Sequence, residues 1–389
     1  MTVHAFSLPI EVKYGAGASR LTGETLKAWN ARRLFVVTDK GVLEAELLGG
    51  VMDTLAQPEP EVHVFDEVEP NPRDTTVTRG VTAFRGFGPD AVLAIGGGSS
   101  MDTAKAIRAV AEAGGSISDY EGFVKFNVKP RVPLIAVPTT AGTGSEMGGW
   151  AVITDTRRRF KMGFGDPVAL SPTLSLVDPE LTLSLPPALT ASTGMDAFSH
   201  ALEVYVSQAS SPLTDAWALG AIELIAGNLR VAYTNGHDLS AREQVMTGSM
   251  MAGAAMSNAD CGAIHAIAEV VGGLYDIGHG VAIAAFLPYV MRYNTPAVPE
   301  KSRRVAVAIG SSLEGLAEME AASLAWRGAA RLVSDLGLPR PSDLEIPHKD
   351  LPLIAKACTL NMSSGGNPRP MAAGDYLSLI QESLDENLW

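Results

Sequence analysis

Four short runs rich in β-branched and aliphatic residues recur through the first half of the chain: RRLFVVTD (32–39), HVFDEV (63–68), AVLAIGGG (91–98) and PLIAVPTT (133–140), separated by amphipathic stretches. Apolar runs of strand length alternating with helical periodicity predict βαβ units around a mainly parallel sheet. Each run closes on a loop of Gly, Thr, Asp or Pro. Ligands of open parallel sheets collect beyond the carboxyl ends of the strands, so these loops are where a cofactor is expected.

From about Leu185 the strand pattern gives way to long helical patterns, among them ALTASTGMDAFSHALEVYVS, LTDAWALGAIELIAGNLRVAY and AREQVMTGSMMAGAAMSNA. Pro186 and Pro187 stop any helix from running across this junction. The predicted architecture is an α/β dinucleotide-binding domain over residues 1–185 and an all-α domain over 186–389.

A length of 389 residues suits two such domains. The formal net charge of −13 excludes a duplex nucleic-acid partner, which would require a Lys/Arg surface to neutralise phosphates. The one local basic run, Arg157, Arg158 and Arg159, is expected to be a solvated turn. Two cysteines, Cys261 and Cys358, are too few for a disulfide framework and fit a reducing compartment. The opening MTVHAFSLPIEVKYGAG has no basic region followed by an apolar core, and no stretch reads as a membrane span. A soluble, cytoplasmic protein without a membrane partner is therefore expected.

Gly96, Gly97 and Gly98 stand between a predicted strand and a helix starting near Ser99 to Asp102. Glycines there let the backbone approach a pyrophosphate, and the free N–H groups and positive dipole end of the helix favour its charge. Ser99 or Ser100 is the expected cap of that helix. A tight turn explains three glycines equally well, but PTTAGTGSE (138–146) supplies a second hydroxyl-rich loop at the end of another strand. Asp39, ending the strand LFVVT, suits hydrogen bonds from an adenosine ribose and repulsion of a 2′-phosphate, which favours NAD over NADP. A turn or N-cap aspartate before Lys40-Gly41 is the alternative.

The helix TGMDAFSHALE places Asp196 and His200 four residues apart, on one face. His265 lies on an apolar helix some seventy residues later, and His279 sits between Gly278 and Gly280 at a predicted helix start. One Asp with three imidazoles forms a donor set for Fe, Zn, Ni or Co rather than for Mg or Ca. A single histidine on an apolar helix is an ordinary core residue, and spacing alone does not make the four converge.

Several longer motifs carry a family resemblance: EPNPRD (69–74), GGGSSMDTAK (96–105), PTTAGTGSE (138–146), VDPELTLSLPP (177–187), TGMDAFSHALEVYVS (193–207), HAIAEVVGGLYDIGHG (265–280) and NPRP (367–370). In their order and spacing the sequence resembles the iron-containing (group III) alcohol dehydrogenases, over essentially the whole chain. The resemblance implies the dehydroquinate synthase-like fold, with an α/β dinucleotide-binding domain followed by a helical one. It implies metal ligands at Asp196, His200, His265 and His279, and a cofactor site at Asp39, Gly97, Gly98, Ser99, Asp102, Thr139, Thr140, Thr143 and Lys161. Without the resemblance, Lys161 reads as a surface lysine.

Two positions depart from the family pattern. Many members carry a second histidine four residues after the position of His265; here it is Glu269, whose spacing still aims it at the site. With Lys161, Glu269 is the candidate catalytic side chain. Gly148-Gly149-Trp150 stands where relatives place polar residues, which points Trp150 at an altered substrate pocket. The implied activity is metal-dependent, NAD(H)-linked interconversion of a small alcohol, diol or hydroxy-functionalised substrate with its carbonyl form. NAD(H) is preferred over NADP(H), Fe2+ is the expected ion with Zn2+ as the alternative, and the oligomer is a homodimer or larger. Maleylacetate reductase-like and dehydroquinate synthase-like enzymes share the fold, but the latter need a set of Lys and Arg for a phosphorylated, carboxylated substrate. That set is not found at the motif positions of the helical half.

Overall fold

Residues 34–37 alternate strictly about a sheet, Leu34 and Val36 facing one side and Phe35 and Val37 the other, and all four are fully buried. A strand covered on both faces reads as a continuous apolar run, the sign of a sheet with helices on either side. In the computed structural model, which describes residues 3–55 and 59–388, this strand lies inside a parallel sheet with a neighbour on either side. The strands are β1 (Glu11–Tyr14), β2 (Arg33–Asp39), β3 (Glu61–Val68), β4 (Ala91–Gly96), β5 (Leu134–Pro138), β6 (Trp150–Asp155), β7 (Phe160–Gly165) and β8 (Leu174–Val177). Six of them form the sheet in the order β1-β8-β5-β4-β2-β3, every adjacent pair parallel, while β6 and β7 form a separate antiparallel hairpin.

Helices α1 (Thr22–Ala28), α2 (Lys40–Glu44), α3 (Leu47–Met52), α4 (Asp74–Phe87) and α5 (Gly98–Ala113) connect these strands. One apolar core, containing Phe35, Phe65, Phe84 and Ile107, lies on the α4 and α5 face; the other, containing Leu26, Leu34, Val51 and Leu93, lies on the α1 and α3 face. The chain leaves β2 for β3 on one side and returns to place β4 on the other. The carboxyl ends of β2 and β4 therefore flank a topological switch point, where open α/β sheets bind ligands.

After Pro186 the chain is helical: α6 (Pro187–Val206), α7 (Pro212–Thr234), α8 (Leu239–Met256), α9 (Ala263–Tyr275), α10 (His279–Asn294), α11 (Pro299–Ala308), α12 (Glu318–Asp335), α13 (Leu351–Leu360) and α14 (Ala373–Asp385). Proline occupies the first turn of α6 and α7, where its missing N–H has no intrahelical partner to lose. Ser211 caps α7 by accepting from Thr214 N at 3.3 Å. Two compact units result, one comprising Leu8–Thr140 and Gly144–Leu185, the other Met1–Ser7, Ala141–Thr143 and Pro186–Trp389. Among the described residues no helix is long and apolar enough to cross a membrane.

Candidate functional site

In the helical unit, α6 carries Asp196 and His200 one turn apart, both buried. His265 sits on the first turns of α9 and His279 opens α10. A close approach of backbones brings the last of these in: a Cβ on Gly280 would collide with the Ser192 backbone on α6, so only glycine lets the start of α10 lie there. Asp196 Oδ1 then faces three imidazoles, at 3.4 Å from His279 Nε2, 3.8 Å from His200 Nδ1 and 3.9 Å from His265 Nε2. Tetrahedral ligands about 2.1 Å from a metal stand roughly 3.4 Å apart, so these separations suit a ligand shell rather than direct hydrogen bonds.

His265 shows why the cluster suits a cation. Its Nδ1 lies 2.5 Å from Glu203 Oε2, and Glu203 Oε1 accepts from Ile264 N at 2.7 Å. A carboxylate accepts only, so Nδ1 carries the proton and the Nε2 lone pair is turned toward Asp196. That nitrogen is buried and has no hydrogen-bond partner among the described residues. Burial disfavours the charged ring, but Cys261 and Glu203 outweigh it and hold His265 well above the ordinary histidine range. Of these two, Glu203 is the effective partner, because burial pushes the Cys261 thiol up to about 11 and keeps it neutral. His200 is held well below that range, first by burial and then by His265. Asp196, His265 and His279 each offer a ligand atom within 4.8 Å of the others and together could hold a metal ion.

Glu203 escaped the sequence reading. It stands seven residues after Asp196 on the same helix face, and that spacing in TGMDAFSHALE was the available signal. Glu269, one turn beyond His265, accepts from Asn361 Nδ2 at 2.7 Å and is partly buried.

In the α/β unit the nucleotide candidates gather at the carboxyl ends of β2, β4 and β5. Gly96 has φ +148°, and a Cβ there would meet Ser100 Oγ and Asp39 Oδ2, so glycine is required where the chain turns from β4 into α5. Gly97 is the N-cap of α5 without any side-chain cap. Neither Ser99 nor Ser100 caps the helix as expected: Gly98 already lies in its first turn, and Ser100 Oγ instead donates to Asp39 Oδ2 at 2.9 Å. Asp39 caps α2 through Oδ1, accepting from Val42 N at 3.1 Å, so the turn reading holds alongside any role toward a ribose. Thr139 N donates to Gly96 O at 2.9 Å, tying the second loop to the first, and Thr140 lies against Gly97.

Behind these loops lies a buried polar network. Lys105 Nζ donates to Ser145 O at 2.6 Å, Ser145 Oγ at 2.7 Å and Trp150 O at 2.7 Å. Asp102 accepts from Ser145 Oγ at 2.6 Å and from Val152 N at 2.9 Å. Both carboxylate oxygens of Asp102 are thereby engaged in fastening the loop and β6 to α5. Burial raises Asp102, lowers Lys105 to about 8 and raises Glu146 to about 7. Lys161 is buried on β7 opposite Thr154, not on the surface as its composition alone suggested. Trp150 begins β6 and meets Phe123 edge-on, with centroids 5.4 Å apart. Arg157 to Arg159 form the turn after β6, where Arg158 pairs with Asp155 and Glu121. Thr143 belongs to the helical unit.

Residues 9–179 match the family model for iron-containing alcohol dehydrogenase, and residues 190–384 match that for the C-terminal part of the Fe-containing alcohol dehydrogenase family. This chain belongs to the iron-containing alcohol dehydrogenases. A 1,3-propanediol dehydrogenase of Citrobacter freundii is 42% identical over 92% of this chain and 92% of its own length. An NAD-dependent methanol dehydrogenase of Bacillus methanolicus is 38% identical over 97% of this chain and 99% of its own. The crystal structure of a 1,3-propanediol oxidoreductase superposes with a TM-score of 0.94 at 37% identity, covering 98% of this chain and 100% of that one. As an iron-type alcohol dehydrogenase the chain is an oxidoreductase acting on CH–OH groups, and its parallel α/β sheet followed by a helical unit is the family fold.

Proposed function

We propose that this alcohol dehydrogenase holds one divalent cation, Fe2+ or alternatively Zn2+, through Asp196, His200, His265 and His279, and uses NAD(H) to interconvert a small alcohol or diol with its aldehyde. The carrying observation is the buried Asp/His group whose His265 Nε2 lacks a protein partner while Glu203 holds the proton on the other ring nitrogen. A bound cation would supply Lewis acidity toward the substrate oxygen, and a bound nicotinamide would accept or deliver hydride at carbon. The chain's own residues do the rest. Glu203 fixes the tautomer and orientation of His265. Gly97, Gly98 and Ser99 offer backbone N–H groups at the start of α5 to a pyrophosphate, and Thr139, Thr140, Thr143 and Lys161 offer further donors.

Asp39, anchored by Ser100 and Val42, is positioned to accept from a ribose and to repel a 2′-phosphate, which supports NAD over NADP. Asp102 positions the second loop through Ser145 rather than meeting the cofactor with a free carboxylate. Glu269 holds or passes the substrate proton, steadied by Asn361. The two units correspond to a nucleotide-binding domain and a metal-binding domain, and the two buried free cysteines support a reducing compartment. Small alcohols and diols are the substrates named for the similar dehydrogenases of Bacillus methanolicus and Citrobacter freundii.

The test is elemental analysis of freshly purified protein combined with NADH and NADPH oxidation against a panel of short aldehydes and hydroxyaldehydes. About one metal per chain, with aldehyde-dependent NADH oxidation lost on chelation and in His265→Ala, is the expected result. Protein that binds no metal and oxidises neither coenzyme with any carbonyl would overturn the reading.

A further inference from the structure

Cys261 immediately precedes Gly262, the N-cap of α9, and is buried. Its Sγ, a ring nitrogen of His200 and a ring nitrogen of His265 all lie within 4.8 Å of one another. Both histidines are more than nine-tenths buried, and neither His200 Nδ1 nor His265 Nε2 has a hydrogen-bond partner among the described residues. Two buried imidazoles and a thiol close enough to interact with one of them, His265, meet in one place. The other cysteine is different: the Cys358 thiol donates to Ala266 O at 3.7 Å, as a structural core thiol does.

We propose that Cys261 is a sulfur donor to the metal centre, forming with His200 and His265 a second face of the site. His265 belongs to both faces, the oxygen-and-nitrogen face with Asp196 and His279 and the sulfur-and-nitrogen face with His200 and Cys261. A cation seated against His265 therefore has a hard donor on one side and a soft one on the other. Thiolate donation favours Zn(II) and other borderline or soft ions over Mn(II) and Mg(II). Coordination exchanges the S–H bond for an S–metal bond and releases one proton to solvent, with no change in oxidation state. The inference rests on the metal assignment proposed above.

Cobalt(II) distinguishes the two claims, because sulfur ligation produces an intense near-ultraviolet charge-transfer band whereas oxygen and nitrogen ligation gives the visible ligand-field bands alone. The full chain, stripped with a chelator and loaded anaerobically with Co(II), is compared as the natural protein, Cys261→Ser and Cys358→Ser. The expected result is a charge-transfer band in the natural protein and in Cys358→Ser, and its loss in Cys261→Ser with cobalt stoichiometry and ligand-field bands retained. A natural protein that binds one cobalt and shows no such band overturns the sulfur donor without touching the Asp/His assignment, whatever the folding of the variant. A band that persists in Cys261→Ser does the same. Failure of the natural protein to bind cobalt at all overturns both.

Discussion

Lys105 in the α/β unit and His265 in the helical unit are both ionisable side chains at near-complete burial, yet their surroundings differ in completeness. Each of the three ammonium hydrogens of Lys105 has an acceptor, Ser145 O, Ser145 Oγ and Trp150 O, and Asp102 stands 3.9 Å away. His265 has one nitrogen paired with Glu203 and the other directed at a cluster of ligand atoms, where it makes no hydrogen bond among the described residues. A satisfied network stabilises and rigidifies a fold. A buried lone pair without a partner is costly unless a ligand completes it. The contrast separates a scaffold that positions loops from a site built to receive a cation.

The sharpest way to break the contrast is Lys105→Met. The substitution keeps the stem volume and deletes three hydrogen bonds, leaving Ser145 O and Trp150 O without their donor. Loss of about 3 kcal/mol is expected from buried acceptors left unmet, less whatever is regained by removing a desolvated cation. Denaturant unfolding should show the lower midpoint, and metal content should stay at the natural level because the Asp/His group lies in the other unit. An unchanged midpoint would mean the network is not structural.

Glu146 sharpens the same network through pH. Burial raises its carboxyl from 4.5 to about 7, so the folded state holds the proton more tightly than the unfolded chain. Its contribution to stability is fully present below pH 4.5 and is lost as pH rises to about 7, up to about 3 kcal/mol across that window. Glu146→Gln has no proton to lose. Relative to the natural protein it should gain stability as pH is raised from 5 to 8, and an equal difference at the two pH values would show that Glu146 does not titrate in the fold.

These two predictions concern residues that the sequence barely distinguished, and the reason is physical. Strands β2, β4 and β5 were legible because covering both faces of a sheet demands unbroken apolar runs, and the edge strand β3 was legible through its β-branched and aromatic residues. Strand β1 is mostly exposed, β8 is four residues long, and the hairpin of β6 and β7 interleaves Thr, Asp and Lys with its apolar positions, so none stood out. The pairs Asp196/His200 and His265/Glu269 were legible as helix faces. That α6, α9 and α10 bring Asp196, His265 and His279 together depends on packing such as the approach at Gly280, which helical periodicity does not encode. Lys105 sits three residues after Asp102 in AKAIRAV, where only its flanking alanines hinted that the lysine is buried.

On the incomplete side of the comparison, Glu203→Gln tests whether His265 is held for a cation. Glutamine Oε1 can still accept from Ile264 N, but its amide donates to Nδ1 and so moves the ring proton to Nε2, the nitrogen facing Asp196. Metal affinity should fall tenfold to hundredfold, the range usual for an outer-shell carboxylate on a ligating histidine. Competition with a chromophoric chelator measures it directly. The unfolding midpoint of metal-free protein should move far less than in Lys105→Met, and a large loss of metal-free stability without loss of affinity would make Glu203 a structural residue instead.

The smallest effect is expected at Asp39, which belongs to both sides of the contrast: its oxygens are already engaged by Val42 N and Ser100 Oγ, yet it stands at the switch point where a ribose would lie. Asp39→Asn separates the roles. Asparagine caps a helix as well as aspartate, so the start of α2 should survive with a stability change of no more than about 0.5 kcal/mol. With Oδ1 still accepting from Val42 N, the Nδ2 amide takes the place of Oδ2 and donates to Ser100 Oγ, whose hydroxyl turns to accept, so the link from β2 to α5 is kept. What disappears is the negative charge. A 2′-phosphate a few ångströms from one carboxylate in a partly solvated loop meets a repulsion of about 1 to 4 kcal/mol, and its removal should raise the NADPH-to-NADH ratio of kcat/KM about tenfold. Steady-state rates with both coenzymes on one aldehyde read that ratio. If it does not move while the midpoint of unfolding falls, Asp39 is a capping residue alone and coenzyme choice is decided elsewhere in the loops.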